Sequence, residues 1–414
     1  MTTARQNVVK EDGVTPADPF DFGAGHVDPN KAIDPGLVYD SGLFDYLAGS
    51  CETVTPLVSA DGCSFLQSLG FSLDPADLNL PSIGISQLPG AKTIKRTVTY
   101  VGKRGSTVFE AKVEAPAGFR VEVSPRKLFL RRGDTATFEV TITNETAPPG
   151  EWRFGSLTWN EQGKKGVTVR SPIAVNAQAI VAPEEVSGTG ADGGLQFDVT
   201  FGYTGAYTAG VHGLADSGLT LVRVADDPGN SFQFLGPGTA IAFLDEVPPG
   251  TAFARWSLFD EYTSGLGNDD LDLYLYYCPE FLCTLVDSSG NLGSNEEVSV
   301  TLPLNDPGID DPYVVFVHGY ETAGRAPSTL VLFDWDFGLV DNRGNMTVTA
   351  PNAATIGQTE TLSVNWSGLA TGPGEKQLGA ISHSDAGGLR GLTLIDIEND
   401  QGFTICDFGL CAAP

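Results

Sequence analysis

The sequence predicts a mainly β chain, a tandem of β-sandwiches preceded by a short irregular and helical stretch. Three observations carry this expectation. Fifty Gly and 26 Pro against two Met favour strands and turns over helices. Apolar and polar residues alternate with period two in run after run from Thr93 onward. Turn residues separate these runs at intervals of about 8–12 positions, the rhythm of a sandwich. At 414 residues the chain is too long for one ordinary domain.

The elements follow in order. Residues 1–78 are poor in strand alternation, and Leu43–Leu47 and Ser64–Gly70 read as short helical turns, the second ending at a glycine. The text changes to strands from Asp77–Ile83. Thr93–Gly102, Val108–Ala115, Ala136–Thr143, Phe154–Trp159 and Val167–Val175 alternate, with Pro116-Ala117-Gly118 and Arg132-Gly133-Asp134 as turns between them. Residues 178–190 form a Pro/Glu/Gly/Ser linker. A second β unit is expected over 191–340, with strands at Leu195–Phe201, Ala252–Asp260, Asp269–Tyr276, Glu297–Leu302, Tyr313–Tyr320 and Ser328–Trp335. A small immunoglobulin-like sandwich is expected over 341–414, from Asn345–Ala350, Thr359–Trp366, Leu378–Ile381 and Leu392–Ile397.

Charge divides the chain. Residues 1–178 hold 18 Lys+Arg and 20 Asp+Glu; subtraction from the totals of 24 and 52 leaves 6 and 32 for residues 179–414. The balances are −2 and −26, which points to two unlike modules joined. The acidic half repels nucleic acid and anionic membranes and attracts cations. No apolar run approaches the about 20 residues of a membrane-spanning helix.

The phrase Thr15-Pro16-Ala17-Asp18-Pro19-Phe20-Asp21-Phe22-Gly23-Ala24-Gly25-His26-Val27-Asp28-Pro29, a few residues after Met1-Thr2-Thr3-Ala4, resembles the end of the catalytic domain in subtilisin-like serine proteases of the cucumisin type. The resemblance continues through Lys31–Asp40 and along the strand phrases to residue 177. It implies that 1–78 are a remnant of the subtilase catalytic domain and linker, and that 79–177 are a fibronectin type III-like domain. Residues 191–340, and above all Asp270-Leu271-Asp272-Leu273-Tyr274, resemble the pre-peptidase C-terminal domain of bacterial secreted peptidases, which implies a jelly-roll sandwich. The chain would then begin just downstream of the family's aspartate, histidine and serine.

A serine hydroxyl is a weak nucleophile, so it needs a histidine to take its proton and a carboxylate to orient that histidine. No Gly-Thr-Ser-Met phrase occurs here. Four histidines remain. His26 belongs to the family's structural phrase. His318 is expected at a sandwich rim, and His212 and His383 in glycine-rich loops, with Ser382, Ser384 and Asp385 beside the last. An independent hydrolase site is therefore not expected, and no catalytic residue is assigned.

Asp269, Asp270 and Asp272 are the candidate calcium ligands, because hard cations want several carboxylate oxygens. On a strand, Asp270 and Asp272 share one face and Asp269 points to the other. A solvated acidic start to the strand is the preferred alternative, and Asp306, Asp310 and Asp311 form a weaker second group. Trp256, Trp335 and Trp366 sit in strand-like runs and read as core. Cys51/Cys63, Cys278/Cys283 and Cys406/Cys411 fall in close couples suited to local disulfides in an oxidising compartment, with free thiols as the alternative.

The expected function is that of a non-catalytic C-terminal region of a secreted subtilisin-like endopeptidase. Its partner would be a catalytic domain in cis, and its β modules would stabilise that domain or hold a protein or polysaccharide surface. The alternative is a stand-alone extracellular binding or adhesion protein. Residues 1–78, with Phe20, Phe22, Leu37 and Val38, are expected to lack a core when the rest of a catalytic domain is absent.

Overall fold

In the computed structural model the described residues are 1–53, 56–163, 166–247, 250–279, 282–301, 311–400 and 402–410. The chain is mostly β, in sandwiches. It divides into two compact units. The first is Met1–Val181 with Thr200–Thr204 and Ala354–Thr359; the second is Ala182–Val199, Gly205–Ala353 and Glu360–Pro414.

The first unit is built on eight main strands: β1 (Ile83–Leu88), β2 (Ala91–Tyr100), β3 (Ser106–Glu114), β4 (Phe119–Ser124), β5 (Lys127–Arg131), β6 (Thr135–Asn144), β7 (Trp152–Glu161) and β8 (Thr168–Ala177). One sheet runs β2-β6-β4, the other β1-β8-β7-β3-β5. The period-two reading fits: β2 buries Ile94, Arg96, Val98 and Tyr100 and exposes the residues between them. Ile94, Val98 and Tyr100 share a core with Phe138 of the neighbouring strand β6 and with Leu157 and Trp159 of β7 in the other sheet, and Phe138 packs edge-on to Trp159 at 5.0 Å. Gly118 turns β3 into β4 at φ +84°, where an added Cβ would lie 2.7 Å from the Ala147 nitrogen.

The expectation of a coreless 1–78 needs correction. Leu37–Val38 pairs antiparallel with Tyr100 and Thr99, extending a sheet. Leu37 is fully buried in the sandwich core, a burial that stabilises by roughly 1.5–3 kcal/mol. The Tyr39 hydroxyl lies 3.0 Å from Ser171 Oγ, and Phe20 packs edge-on to Trp152 and Phe154. The reason is the free outer edge of β2, which offers unpaired backbone groups to the incoming chain. Phe20 itself, with Phe44 and Phe65, nonetheless remains exposed. The helical turns are the helices Leu43–Gly49 and Ala60–Ser68, tied by the Cys51–Cys63 disulfide.

The second unit holds a sandwich within a sandwich. The outer one is built from β9 (Glu185–Gly188), β10 (Gly193–Phe201), β11 (Thr208–Asp216) and, much later, β20 (Met346–Thr349), β21 (Thr359–Trp366), β22 (Lys376–Asp385) and β23 (Gly388–Glu398). Its sheets run β10-β21-β20 and β9-β23-β22-β11. Between β11 and β20 the chain makes β12 (Gly218–Val224), β13 (Thr239–Val247), β14 (Thr251–Leu258), β15 (Asp270–Tyr277), β16 (Thr284–Ser289), β17 (Glu296–Thr301), β18 (Asp311–Glu321) and β19 (Ser328–Gly338). These form the inner sandwich, with sheets β12-β19-β14-β17 and β13-β18-β15-β16 around Trp256, Leu271, Leu273, Leu275, Val317 and Leu332.

The strand pairing thus draws the division elsewhere than at residues 340/341. Leu195–Phe201, expected to open the second β unit, pairs with β21 instead. The physical reason is burial. The buried side chains of β21 and β22, such as Val364 and Ile381, need apolar partners, and β10, paired with β21, supplies buried Phe197 and Val199.

Candidate functional site

The three acidic candidates do not form one ligand set. Asp269 is buried and its carboxylate is already engaged: it accepts from Ser328 Oγ at 2.6 Å, Ala323 N at 2.8 Å and Gly265 N at 3.0 Å. Gly265 approaches so closely that a Cβ there would sit 2.4 Å from the carboxylate. Asp270 is half-buried, accepts from Gly293 N at 3.3 Å, and shares a shallow crevice with Glu321. Burial pushes its pKa up, with Asp272 and Glu321 adding to the shift. Asp272 turns to a different partner altogether. Among the described residues no group of three or more His, Cys, Asp or Glu side chains converges on a metal position. Asp306 and Asp310 lie outside the described residues.

That partner is His318. β15 and β18 are paired in a register that sets Asp272 opposite His318. Leu271, Leu273 and Leu275 point into the core, so Asp272, Tyr274 and Tyr276 take the other face of the same strand. The segment after β12 then folds over this face: Phe232 stacks on Tyr274, and Asp227 reaches the far side of the imidazole. His318 Nδ1 lies 3.0 Å from Asp272 Oδ2, and Nε2 lies 3.1 Å from Asp227 Oδ2. The ring is completely buried. Expectation placed it at a rim; the covering segment makes it interior.

Two carboxylate acceptors on opposite ring nitrogens require two N–H donors, which only the imidazolium has. Burial opposes the charge, but hydrogen bonds to Asp272 and Asp227 outweigh it and raise the pKa of His318. Asp227 is held down at about 2, chiefly by the backbone N–H groups of Ser231 and Gly229 and then by His318. Asp227 was missed in the sequence because it lies 91 positions from its partner. The only local sign was its Asp-Asp-Pro-Gly-Asn turn.

His212 and His383 lie on strands β11 and β22, not in loops. A glycine-rich stretch can still form a strand, and both histidines sit within one, in runs that are buried on both faces rather than alternating. His212 Nε2 lies 2.7 Å from Ser382 Oγ, while its Nδ1 has no hydrogen-bond partner. His212 and Ser382 are both buried. The hydroxyl and the imidazole meet, but no carboxylate completes the pair. His383 lies 2.7 Å from the Tyr207 hydroxyl and 2.9 Å from Thr393 Oγ1, and burial depresses its pKa to about 4. His26 is exposed, with Nδ1 3.1 Å from the Val27 carbonyl oxygen. Among the described residues, then, no serine, histidine and carboxylate converge in hydrogen-bonding reach.

Trp256, Trp335 and Trp366 are all buried. Cys278–Cys283 is a second disulfide; the third couple extends outside the described residues at Cys411.

Sandwich architecture and paired cysteines define a class of disulfide-bearing β modules. Comparisons with known proteins show what the chain is similar to. Residues 77–175 match the model of the fibronectin type III domain. The chain is 37% identical over 195 residues to the CO(2)-response secreted protease of Arabidopsis thaliana, covering 43% of this chain and 25% of that protein. It is also 37% identical over 180 residues to the subtilisin-like serine-protease S of Lotus japonicus, covering 42% and 23%. Among solved structures, the secreted serine protease VesC of Vibrio cholerae aligns over 60% of this chain at 13% identity, with a TM-score of 0.19. The chain carries a region similar to subtilisin-like serine proteases, with a fibronectin type III domain. It spans about a quarter of the length of the curated relatives it matches.

Proposed function

We propose that this chain is a non-catalytic C-terminal region of a secreted subtilisin-like endopeptidase. A catalytic domain in cis would cut peptide bonds through an acyl-enzyme. The fibronectin type III domain would stabilise it, and the acidic sandwiches, read as a pre-peptidase C-terminal-like module and an immunoglobulin-like one, would hold substrate or a surface. The observation that carries this reading is the match to proteases over only a quarter of their length, in a chain whose four histidines are each held without a nucleophile and an acid together. Two disulfides suit the oxidising compartment that secretion implies.

The test is direct. Purified chain is incubated with casein and with a fluorogenic peptide ester, with and without a serine-directed phosphonate. The expected result is no turnover above buffer. Hydrolysis abolished by the phosphonate would overturn the reading.

A further inference from the structure

Within the second unit, one crevice of about 570 Å³ has features that the reading above does not use. Its floor is apolar, formed by Phe253 on β14 and by Leu392 and Leu394 on β23. Its rim is acidic, with Glu184 and Glu185 on one side and Glu297 on the other. Ser299 and Thr301 continue the Glu297 side along alternate positions of β17.

Arg255 stands between these walls and is 6% exposed. Its Nη2 pairs with Glu185 at 2.6 Å and with Glu297 at 3.0 Å. Asp396 is a third carboxylate within electrostatic reach of the same guanidinium. Two further cations lie nearby but are paired elsewhere: Arg390, which also lines the crevice, with Asp385 at 2.8 Å, and Lys376, which acts on Asp396, with Asp400 at 3.1 Å and Glu398 at 3.7 Å. Arg255 therefore faces more carboxylates than it can neutralise. The titration of these acids reflects it. Burial first, then repulsion from Glu185 and Glu398, pushes Asp396 up to about 7. Burial, with repulsion from Glu185 and Asp287, also raises Glu297 against the pull of Arg255. Arg255 Nε is itself buried and has no hydrogen-bond partner.

We propose that this crevice binds an extended peptide segment in which basic and aliphatic side chains alternate. An extended chain sends successive side chains to opposite sides. Lysine or arginine would meet Glu185 and Glu297, and aliphatic side chains would cover Phe253, Leu392 and Leu394. The strongly acidic half of the chain steers such a partner toward the site. The crevice lies wholly within the second unit, so the inference goes beyond the protease reading and does not depend on it.

The test uses the full chain and a fluorescein-labelled Leu-Lys-Leu-Lys-Leu-Lys amide, read by anisotropy at about 0.15 M salt. Saturable binding is expected. The Ser-Lys repeat of equal length should bind roughly tenfold more weakly, and the Leu-Glu repeat should not bind. Glu185→Gln with Glu297→Gln should weaken binding roughly tenfold. Asp198→Asn with Glu360→Gln removes the same charge at exposed positions outside the crevice and should change it less than about twofold. Hydrogen exchange of the unmodified chain gives a readout that does not depend on a variant folding: saturating peptide should slow residues 389–394. Equal loss in both double variants, equal binding of the Leu-Glu repeat, unchanged exchange at 389–394, or no binding up to about 1 mM peptide would each overturn the inference. None of these outcomes bears on whether the chain hydrolyses casein.

Discussion

The fibronectin type III domain and the acidic unit are both built of β-sandwiches, yet they solve the interior differently. In the first, all eight main strands come from one continuous stretch, and the interior is almost wholly apolar. Its buried cation, Arg96, is satisfied by backbone: it donates to the carbonyl oxygens of Leu80, Lys95 and Ser82. In the second, one sandwich is inserted into another, and buried titratable groups pair with one another. The strands of the outer sandwich must find partners across the whole insertion. Polar side chains mark those meetings: His212 with Ser382 is 170 positions apart, Trp366 Nε1 donating to the Gly190 carbonyl 176, and Gln377 Nε2 donating to Asp216 161. Apolar alternation gives a strand a face; it discriminates poorly between a correct partner and one slipped by two residues. A buried hydrogen-bonding pair penalises that slip, because each unmatched polar group keeps its desolvation cost.

The sharpest way to break this comparison is to damage one core at a time. Trp159→Ala in the fibronectin domain and Trp256→Ala in the inner sandwich should each cost about 3–5 kcal/mol, read by denaturant unfolding. If the units are separately stabilised, each change shifts one transition and spares the other. A single transition moved equally by both would remove the distinction.

The next effect is the pH dependence that buried histidines give the acidic unit. The folded-state pKa of His318 is raised above 6.5, so its contribution is complete below that value and is lost as pH rises through the raised one. Asp227 is lowered from 3.8 to about 2, so its contribution is complete above 3.8 and is lost as pH falls toward 2. Between those limits the cluster is intact. His318→Asn should therefore lower the Tm of the acidic unit most between about pH 4 and 6.5 and progressively less in alkali. His383 has the opposite sign: its pKa is depressed to about 4, so it destabilises as pH falls from 6.5. The difference between unmodified chain and variant, scanned by calorimetry, isolates the His318 part. A difference that grows with alkalinity would contradict the assignment.

The smallest effect belongs to the surface of the fibronectin domain. Lys112 and Glu114 pair at 2.9 Å with both side chains 66% exposed. Lys112→Gln should change stability by less than about 0.5 kcal/mol, and added salt should erase even that. A larger loss would mean that charge matters as much in this unit as in the other.

Particular elements show how far the sequence was legible. Thr93–Gly102 and Ala136–Thr143 alternate cleanly and lie within a residue or two of β2 and β6, because period two and local turns are short-range properties. The start Met1-Thr2-Thr3-Ala4 and the Gly-Ala-Gly-His phrase carried the family. Asp269, Asp270 and Asp272 were visible as acids, but their roles were not, since one accepts backbone and hydroxyl donors, one borders solvent and one faces a histidine. Leu37 looked unpartnered and is not, because the edge of β2 takes it in.

By itself, the order of residues determined that this protein is β-rich, that its halves differ in charge, and that alternating runs such as Thr93–Gly102 and Ala136–Thr143 become strands; each follows from composition or from neighbours within a few positions. Only the tertiary structure decided that one sandwich interrupts another, that Asp227 closes over His318, and that Arg255 shares a crevice with surplus carboxylates. Those outcomes depend on register and on burial between segments far apart in the chain, where many pairings satisfy the alternation and only packing with matched polar groups selects one.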